Sequence, residues 1–268
     1  MEVGVGLPSV IPGAAPALLR DWAQQADGGP FTTLGAHDRL AWDGIDCLAA
    51  LAAVAAVTER IGLASLVLIA PLRTTDDIAA QIAAIDAKAG GRMTLGVGIG
   101  PRRDDYEAAG VSFGTRGRRL DEQLFELRER WDPGPRLLVG GGGDAALARM
   151  ARFSQGYVHG GGPPRAFRSA ADRALAAWHD AGRPGRPRLV GTAYFALGGR
   201  DEEGAGFLRA YYSFVGPFAE RIAAGLLTTA EEIAELAAGY SEAGCDELVL
   251  FPTVADIRQL EMLAEAVG

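Results

Sequence analysis

The pattern of apolar and polar positions is clearest between residues 61 and 100. Residues 62–70 form a continuous apolar run with many branched side chains, which is typical of a strand buried on both faces. A helix follows, with a cap at Thr74 or Thr75, two acidic residues in its first turn, and isoleucines every three or four residues. A second apolar run, residues 93–97, comes next. This βαβ pattern predicts two parallel strands joined by a right-handed crossover.

The same alternation continues along the whole chain. It predicts eight strands, at residues 3–7, 31–35, 62–70, 93–97, 137–139, 156–159, 188–197 and 247–251. Helical patterns separate them, at residues 14–26, 46–59, 75–89, 116–131, 144–153, 202–224, 229–242 and 254–267. Gly216 and Pro217 interrupt the stretch at 202–224, and another helix places Phe167, Ala171, Leu175 and Trp178 on one stripe. Eight strand–helix units in about 250 residues predict a (β/α)8 TIM barrel, and we expect a single domain over residues 1–268. A turn at residues 132–135 connects the fourth barrel helix to the fifth strand.

The amino-acid composition argues against several classes of function. The chain has 268 residues, 49% of them hydrophobic, a formal net charge of −8 and a pI near 5.0. The acidic balance argues against nucleic acid as a partner, and the longest uncharged apolar stretch, residues 61–72, is too short to span a bilayer. The N-terminal residues lack the pattern of a signal peptide. Cys47 and Cys245 have no metal-ligand spacing, so we expect a reduced, cytoplasmic protein without a metal site.

Two glycine runs follow predicted strands. The longer one is Gly140, Gly141, Gly142 and Gly143, before Asp144, which is positioned to cap the next helix. Backbone N–H groups at a helix N-terminus favour a phosphate, and a flexible tight turn is the alternative. The second run, Gly160, Gly161 and Gly162, lies at the same face of the predicted barrel.

Candidate acid–base residues follow the second strand. His37, Asp38 and Arg39 lie at the expected barrel mouth, and a histidine there can move protons near neutral pH. Alternatively, Asp38 and Arg39 form a structural ion pair while His37 only lines the pocket. His159, at the end of the sixth strand, also points toward the mouth, whereas His179 lies on a helix exterior.

The predicted substrate pocket consists of Arg103, His159, Tyr194 and Phe251. Arg102 and Arg103 follow the fourth strand, where they either meet an anionic cofactor or substrate or form a solvated pair. Tyr194 and Phe251 lie near strand ends, where aromatic side chains shape an apolar pocket or belong to the core.

Several segments resemble the luciferase-like monooxygenase family. They are TERIGL at 58–63, APLR at 70–73, GRMTLGVG at 91–98, DDYEAAGV at 104–111, RGRRLDE at 116–122, LVGGGG at 138–143 and AGCDELVL at 243–250. The resemblance spans essentially the whole chain in order. The chain departs from the family in two places. The connection at 132–136 is short, where relatives carry a longer insertion. His37 stands where relatives usually have glycine, before the acidic residue matched by Asp38.

The resemblance implies a TIM-barrel oxidoreductase. The leading interpretation is oxygenation of a small organic substrate with O2 and reduced FMN, which a separate reductase would supply. The alternative is hydride transfer with the deazaflavin coenzyme F-420, and a third is a barrel that binds flavin without turnover. The family also implies a homodimer, here through the apolar helix at 46–59 and its neighbour at 75–89.

The resemblance also assigns the cofactor site. The phosphate would lie on the loop from Gly140 to Asp144, and Gly160 and Gly161 would admit the ribityl chain. Small residues ending with Gly98 and Gly100 let a ligand approach the fourth strand. A non-prolyl cis peptide at or within one bond of Leu66–Val67 would support the ring system.

Overall fold

The strands predicted from apolar runs close into a barrel. A computed structural model of the chain describes residues 1–131 and 134–268. The strands are β1 Glu2–Gly6, β2 Thr33–Ala36, β3 Gly62–Ile69, β4 Met93–Gly98, β5 Arg136–Gly140, β6 Gly156–His159, β7 Arg188–Phe195 and β8 Glu247–Pro252. All eight pair in parallel, and β1 pairs with β8 to close the barrel. The (β/α)8 TIM barrel predicted from the sequence is therefore confirmed.

Helices surround this barrel. They are α1 Pro16–Gly28, α2 Cys47–Ala55, α3 Thr75–Ala89, α4 Arg103–Ala108, α5 Arg116–Arg130, α6 Asp144–Phe153, α7 Pro164–Asp180, α8 Asp201–Tyr211, α9 Phe218–Ala223, α10 Ala230–Glu242 and α11 Arg258–Val267. One apolar core fills the space between strands and helices, and a smaller one, including Leu66, Leu138 and Phe251, lies inside the barrel. No helix in the described ranges is long and apolar enough to cross a membrane.

The β3–α3–β4 unit forms as its sequence predicts. Thr74 is the N-cap of α3, and its hydroxyl accepts a hydrogen bond from the Asp77 amide at 3.1 Å. Ile78 and Ile82 are fully buried. Gly90 ends the helix in the left-handed conformation, with φ of 65°. The short connections confirmed here bring the ends of β3 and β4 to the same barrel mouth.

Two predictions about single helix residues are wrong. Asp144 does not cap α6: Gly143 holds the N-cap position without a side-chain cap, and Asp144, one residue later, pairs with Arg173 at 2.6 Å. Leu175 is 37% exposed and does not belong to the buried stripe of α7. The helical stretch predicted at 202–224 forms as two helices, α8 and α9, and the predicted break at Gly216 and Pro217 lies between them.

Other boundaries also differ from the predictions. The helix predicted at 46–59 ends at Ala55, although Asp46 caps it as expected by accepting bonds from the Leu48 and Ala49 amides. The pattern did not predict α4, which has only six residues. The turn predicted at 132–135, and with it the shortened connection, lies partly outside the described residues. The single domain over residues 1–268 stays a prediction.

A bulge interrupts the pairing of β3 with β4. The register shifts between Ser65 and Leu68. Within the bulge, the peptide bond between Leu66 and Val67 is cis, as predicted. The prediction of this bond is confirmed at the named position.

Val67 lies against glycines of the neighbouring strands. A Cβ atom on Gly98 would lie 2.8 Å from Val67 Cγ2, and one on Gly140 would lie 2.9 Å from its Cγ1. On Gly96, a Cβ atom would lie 2.3 Å from the Ser65 carbonyl oxygen. Such distances exclude larger side chains unless the backbone shifts. The glycines of β4 and β5 therefore make room for the bulge.

The outer faces of α2 and α3 are rich in alanine. The two helices pack side by side. Their exposed residues include Ala49, Ala52, Ala53, Ala80, Ala83, Ala84 and Ala87. Small side chains make a flat apolar surface, which suits close helix packing between two copies of the chain. We propose that this surface, α2 with α3, is the homodimer interface.

Charge placed on this surface should prevent dimerisation. We expect the wild type to be a dimer by light scattering, and Ala53→Arg together with Ala84→Arg to be a monomer, because each guanidinium would be buried without a partner. Ala210→Arg, at an exposed alanine of α8, is the matched control and should stay dimeric. A wild type that is monomeric at every concentration would refute the proposal.

Candidate active site at the barrel mouth

His37 follows β2 directly and is held by β3. Its Nδ1 lies 2.8 Å from the Leu66 carbonyl oxygen, inside the bulge. A carbonyl only accepts, so Nδ1 carries the hydrogen and donates it. Burial lowers the pKa of His37 to about 4; the Leu66 hydrogen bond opposes this lowering, and the Arg102 charge adds a smaller lowering of its own. At neutral pH the ring is therefore uncharged, and Nε2 is a hydrogen-bond acceptor.

Two tyrosines extend the hydrogen bonding from His37. Tyr194 Oη lies 3.1 Å from His37 Nε2 and 2.6 Å from Tyr212 Oη. Because Nε2 accepts, the Tyr194 hydroxyl donates to it and accepts from Tyr212. Burial raises the pKa of both hydroxyls, so both keep their protons at neutral pH. The chain from Tyr212 through Tyr194 and His37 to Leu66 thus has one consistent direction, and we call it the His37–tyrosine chain.

Aromatic rings surround this chain. Phe251 stacks under His37 with ring centroids 3.7 Å apart and planes inclined by 14°. The Tyr211 ring lies 6.4 Å from the His37 ring, centroid to centroid, and Trp42 meets Tyr211 edge-on at 5.2 Å. Phe251 is only 1% exposed, so it supports His37 from within the barrel. Tyr194, the other predicted pocket aromatic, is a member of the chain itself.

Asp38 and Arg39 do not pair with each other, so that alternative is wrong. Asp38 accepts two bonds from Arg73, at 2.7 and 2.9 Å, and one from the Ile69 amide. Arg73 also pairs at 2.7 Å with Asp46, the N-cap of α2. These charges lock the loop after β2 to the end of β3.

Arg39 is tied to α4 instead. Its Nε donates to the fully buried Asp105 at 2.8 Å, and its Nη2 donates to Asp104 at 2.9 Å. The second Asp105 oxygen accepts the amides of Leu40 and Ala41. Arg39 therefore positions the loop that carries His37, since its guanidinium is already paired with two carboxylates.

The glycine loop after β5 is open to a ligand. A Cβ atom on Gly142 or Gly143 would meet nothing within 4 Å. The first amides of α6 have no intrahelical acceptor, and no side chain caps them. Arg173 lies beside the loop, where it donates to the Gly142 carbonyl and to Asp144. Free amides, the helix dipole and a nearby guanidinium fit a phosphate.

The loop after β6 carries a buried histidine and an open glycine. His159 Nε2 is buried without a hydrogen-bond partner among the described residues, and burial lowers the pKa of this ring. A Cβ atom on Gly160 would meet nothing within 4 Å, whereas one on Gly161 would lie 3.0 Å from the Thr192 carbonyl. His159 and the open Gly160 face the same mouth as His37, because all strands are parallel.

The two arginines after β4 have different surroundings. Arg103 is exposed and lies over the Phe113 ring at 4.5 Å, away from the His37–tyrosine chain. Arg102 is buried and lies over Tyr211 at 4.4 Å. Of the two arginines, the structure thus brings Arg102 to the mouth, whereas Arg103, the one assigned to the substrate pocket, lies outside it.

Sequence reasoning missed four residues of the mouth: Trp42, Asp105, Tyr211 and Tyr212. The consecutive tyrosines before the Gly216-Pro217 break were the best available signal, since exposed helix ends rarely carry two large aromatics without a role. A cavity of about 670 Å³ opens at the opposite, N-terminal end of the barrel, lined by residues such as Arg136 and Glu247. The candidate active site is at the other end, at the carboxyl ends of the strands, where the His37–tyrosine chain lies.

The buried His37 should make stability depend on pH. Its folded-state pKa of about 4 lies below the unfolded value of 6.5, so the unfolded chain binds more protons between these values. The stability from His37 is present above pH 6.5 and is lost as the pH falls toward 4. Its size is on the order of 3 kcal/mol.

Urea unfolding between pH 7.5 and 4.5 measures this effect. We expect His37→Asn to lose less stability than the wild type as the pH falls. His179→Asn is the control, because the His179 side chain is 92% exposed, and it should behave like the wild type. His159 is present in all three proteins. Identical pH dependence in the wild type and His37→Asn would contradict the buried neutral imidazole.

Known proteins of the same fold share this arrangement of strands. The solved structures most similar to this chain include an F420-dependent secondary alcohol dehydrogenase in complex with an F420–acetone adduct, with a TM-score of 0.81, 14% identity and coverage of 100% of this chain and 98% of that one. Monooxygenase RslO1 from Streptomyces bottropensis has a TM-score of 0.78, 18% identity and coverage of 100% and 98%. The FMN-bound oxygenating constituent of 3,6-diketocamphane monooxygenase from Pseudomonas putida has a TM-score of 0.75 and 16% identity, with coverage of 99% of this chain and 95% of that one.

Sequence comparison gives the family. Uncharacterised proteins of Mycobacterium bovis and Mycobacterium tuberculosis are 36% identical over 161 residues, which cover 50% of this chain and 55% of each relative. The match thus spans about half the length of these curated relatives. The family model of the luciferase-like monooxygenases matches residues 1–251. This chain belongs to the luciferase-like monooxygenase family.

Proposed function

We propose that this protein is a deazaflavin-dependent oxidoreductase that interconverts an alcohol and a carbonyl group on a small organic substrate. The observation that carries the proposal is the His37–tyrosine chain, since this reaction moves one hydride from carbon and one proton from oxygen. When bound, the deazaflavin coenzyme F-420 accepts or supplies the hydride. The fold similarity to an F420-dependent secondary alcohol dehydrogenase supports this choice.

Side chains of the protein accept and return the proton of this reaction. In alcohol oxidation, Tyr194 Oη accepts the substrate hydroxyl proton while its own proton passes to His37 Nε2, 3.1 Å away. The Leu66 carbonyl, bonded to Nδ1, stabilises the resulting imidazolium. Because the pKa of His37 is lowered to about 4, this cation returns its proton readily, which serves carbonyl reduction in the reverse direction.

The cofactor would lie between the bulge and the glycine loops. Free amides at Gly143 and Asp144, with Gly140, Gly141 and Gly142 before them, would hold its phosphate. The backbone at Leu66 and Val67, and the surfaces of Gly98, Gly160 and Gly161, would contact the remainder. His159 and Arg103 would lie farther out on the same face, and Phe251 would act through His37.

Oxygenation by reduced FMN and O2 is the second candidate. The observation that favours it is the enclosure of the mouth by Trp42, Tyr211 and Phe251, because such chemistry needs water excluded from reactive species. A separate flavin reductase would then be a partner. The glycine loop suits the phosphate of either cofactor.

Single-turnover assays separate these functions. We expect purified protein to reduce carbonyl compounds with reduced F-420, and His37→Asn to slow this step by about 100-fold or more while cofactor affinity is unchanged. Tyr194→Phe should do the same, and His179→Asn should have no effect. Oxygen uptake with reduced FMN, without F-420 turnover, would favour the second candidate. Bound cofactor without turnover in either assay would indicate a non-catalytic barrel.

Cofactor affinity tests the glycine loop. Gly142→Val should weaken binding of F-420 or FMN at least about tenfold, because a side chain would keep the phosphate from the amides. The melting temperature should not change, since a Cβ atom there meets nothing within 4 Å. Gly206→Val, at another open glycine, is the control. Unchanged affinity in a folded Gly142→Val protein would place the phosphate elsewhere.

A further inference from the structure

Arg102 is a buried cation enclosed by aromatic rings. Only 7% of the residue is exposed. Its Cζ lies 4.4 Å from the ring centroids of Tyr211 and Phe214 and 5.3 Å from that of Tyr212. Its Nη2 donates to the Tyr211 carbonyl at 3.1 Å. These contacts hold the guanidinium plane across the mouth, from the end of β4 to the end of α8.

No carboxylate of the described ranges neutralises Arg102. Arg39 lies against the same Tyr211 ring, at 5.4 Å, but it pairs with both Asp104 and Asp105. No described acidic side chain lies within 4.0 Å of the Arg102 guanidinium. Its Nε is buried without a hydrogen-bond acceptor among the described residues. A buried charge with an unused donor is costly unless a ligand completes it.

The unused donor lies beside the proposed chemistry. The Tyr212 ring packs on Arg102, and the Tyr212 hydroxyl forms a hydrogen bond with the Tyr194 hydroxyl. Tyr212 therefore contacts both the guanidinium and the His37–tyrosine chain. Phe214, 42% exposed, covers the guanidinium on the solvent side. A ligand that displaces the Phe214 ring would meet the Arg102 donor and the tyrosine hydroxyls together.

We propose that Arg102 binds a carboxylate of the substrate, so that the substrates are small organic acids with an apolar or aromatic body. This rests on the proposed function for the identity of the reacting site. Nε and one Nη of a guanidinium match the two oxygens of a carboxylate. Tyr211 and Phe214 contact the apolar body. The competing explanation is that the three rings alone stabilise Arg102 through cation–π contacts.

Binding of a matched pair of probes tests the proposal without turnover. Benzoate and benzamide have the same size and differ in charge, and calorimetry gives both affinities. We expect the wild type to bind benzoate at least tenfold more tightly than benzamide. Arg102→Met should abolish this preference, and Arg103→Met, the exposed neighbour, should retain it. Arg102→Lys keeps the positive charge but loses the two parallel N–H donors of the guanidinium, so it should weaken benzoate binding about tenfold. This variant provides a second test if Arg102→Met does not fold.

Three outcomes would overturn the proposal. One is equal binding of the two probes by the wild type, which the cation–π explanation predicts. Another is a benzoate preference that survives in Arg102→Met. The third is a tenfold loss of F-420 or FMN affinity in Arg102→Met without any probe preference in the wild type, which would assign the cation to the cofactor. Failure of the hydride-transfer assays would leave the probe preference measurable, so the two proposals fail separately.

Discussion

The bulge in β3 depends on the absence of side chains on its neighbours. Val67 occupies the space where a Cβ atom on Gly98 or Gly140 would lie within 3 Å of it. Close packing leaves no other place for these atoms, so the glycines of β4 and β5 and the shape of β3 are one unit. The same bulge turns the Leu66 carbonyl to His37 Nδ1. The orientation of the acid–base group therefore rests on a packing constraint inside the barrel.

Buried ion pairs hold the loops around this group. Asp38 joins Arg73 and, through it, the N-cap of α2, while Asp105 joins Arg39 and two amides of the loop after β2. Each of these carboxylates uses several donors, which offsets part of the energy needed to remove it from water. His37 is thus fixed from both sides of its loop. Against this background, Arg102 stands apart because its guanidinium has aromatic neighbours and no carboxylate among the described residues.

Neutral groups dominate the reaction site itself. Burial lowers the pKa of His37 and raises those of Tyr194 and Tyr212, so three hydrogen-bonded side chains share no net charge at neutral pH. A chain of neutral donors and acceptors can pass a proton without a large change in solvation. The enclosing rings of Phe251 and Tyr211 keep this environment apolar, which suits hydride transfer and oxygenation alike.

The amino-acid sequence by itself determined the barrel, the β3–α3–β4 unit with its Thr74 cap and the bulge position, because apolar periodicity, caps and family segments are local signals. It also indicated the glycine loop and His37. It did not show that Tyr194 and His37 meet, or that Arg39 pairs with Asp105 and Asp38 with Arg73. Tyr194 and His37 are 157 residues apart, and only barrel closure brings them to 3.1 Å. Asp144 and Leu175 were misplaced for the same reason, since the partner across the fold decides which side a residue faces.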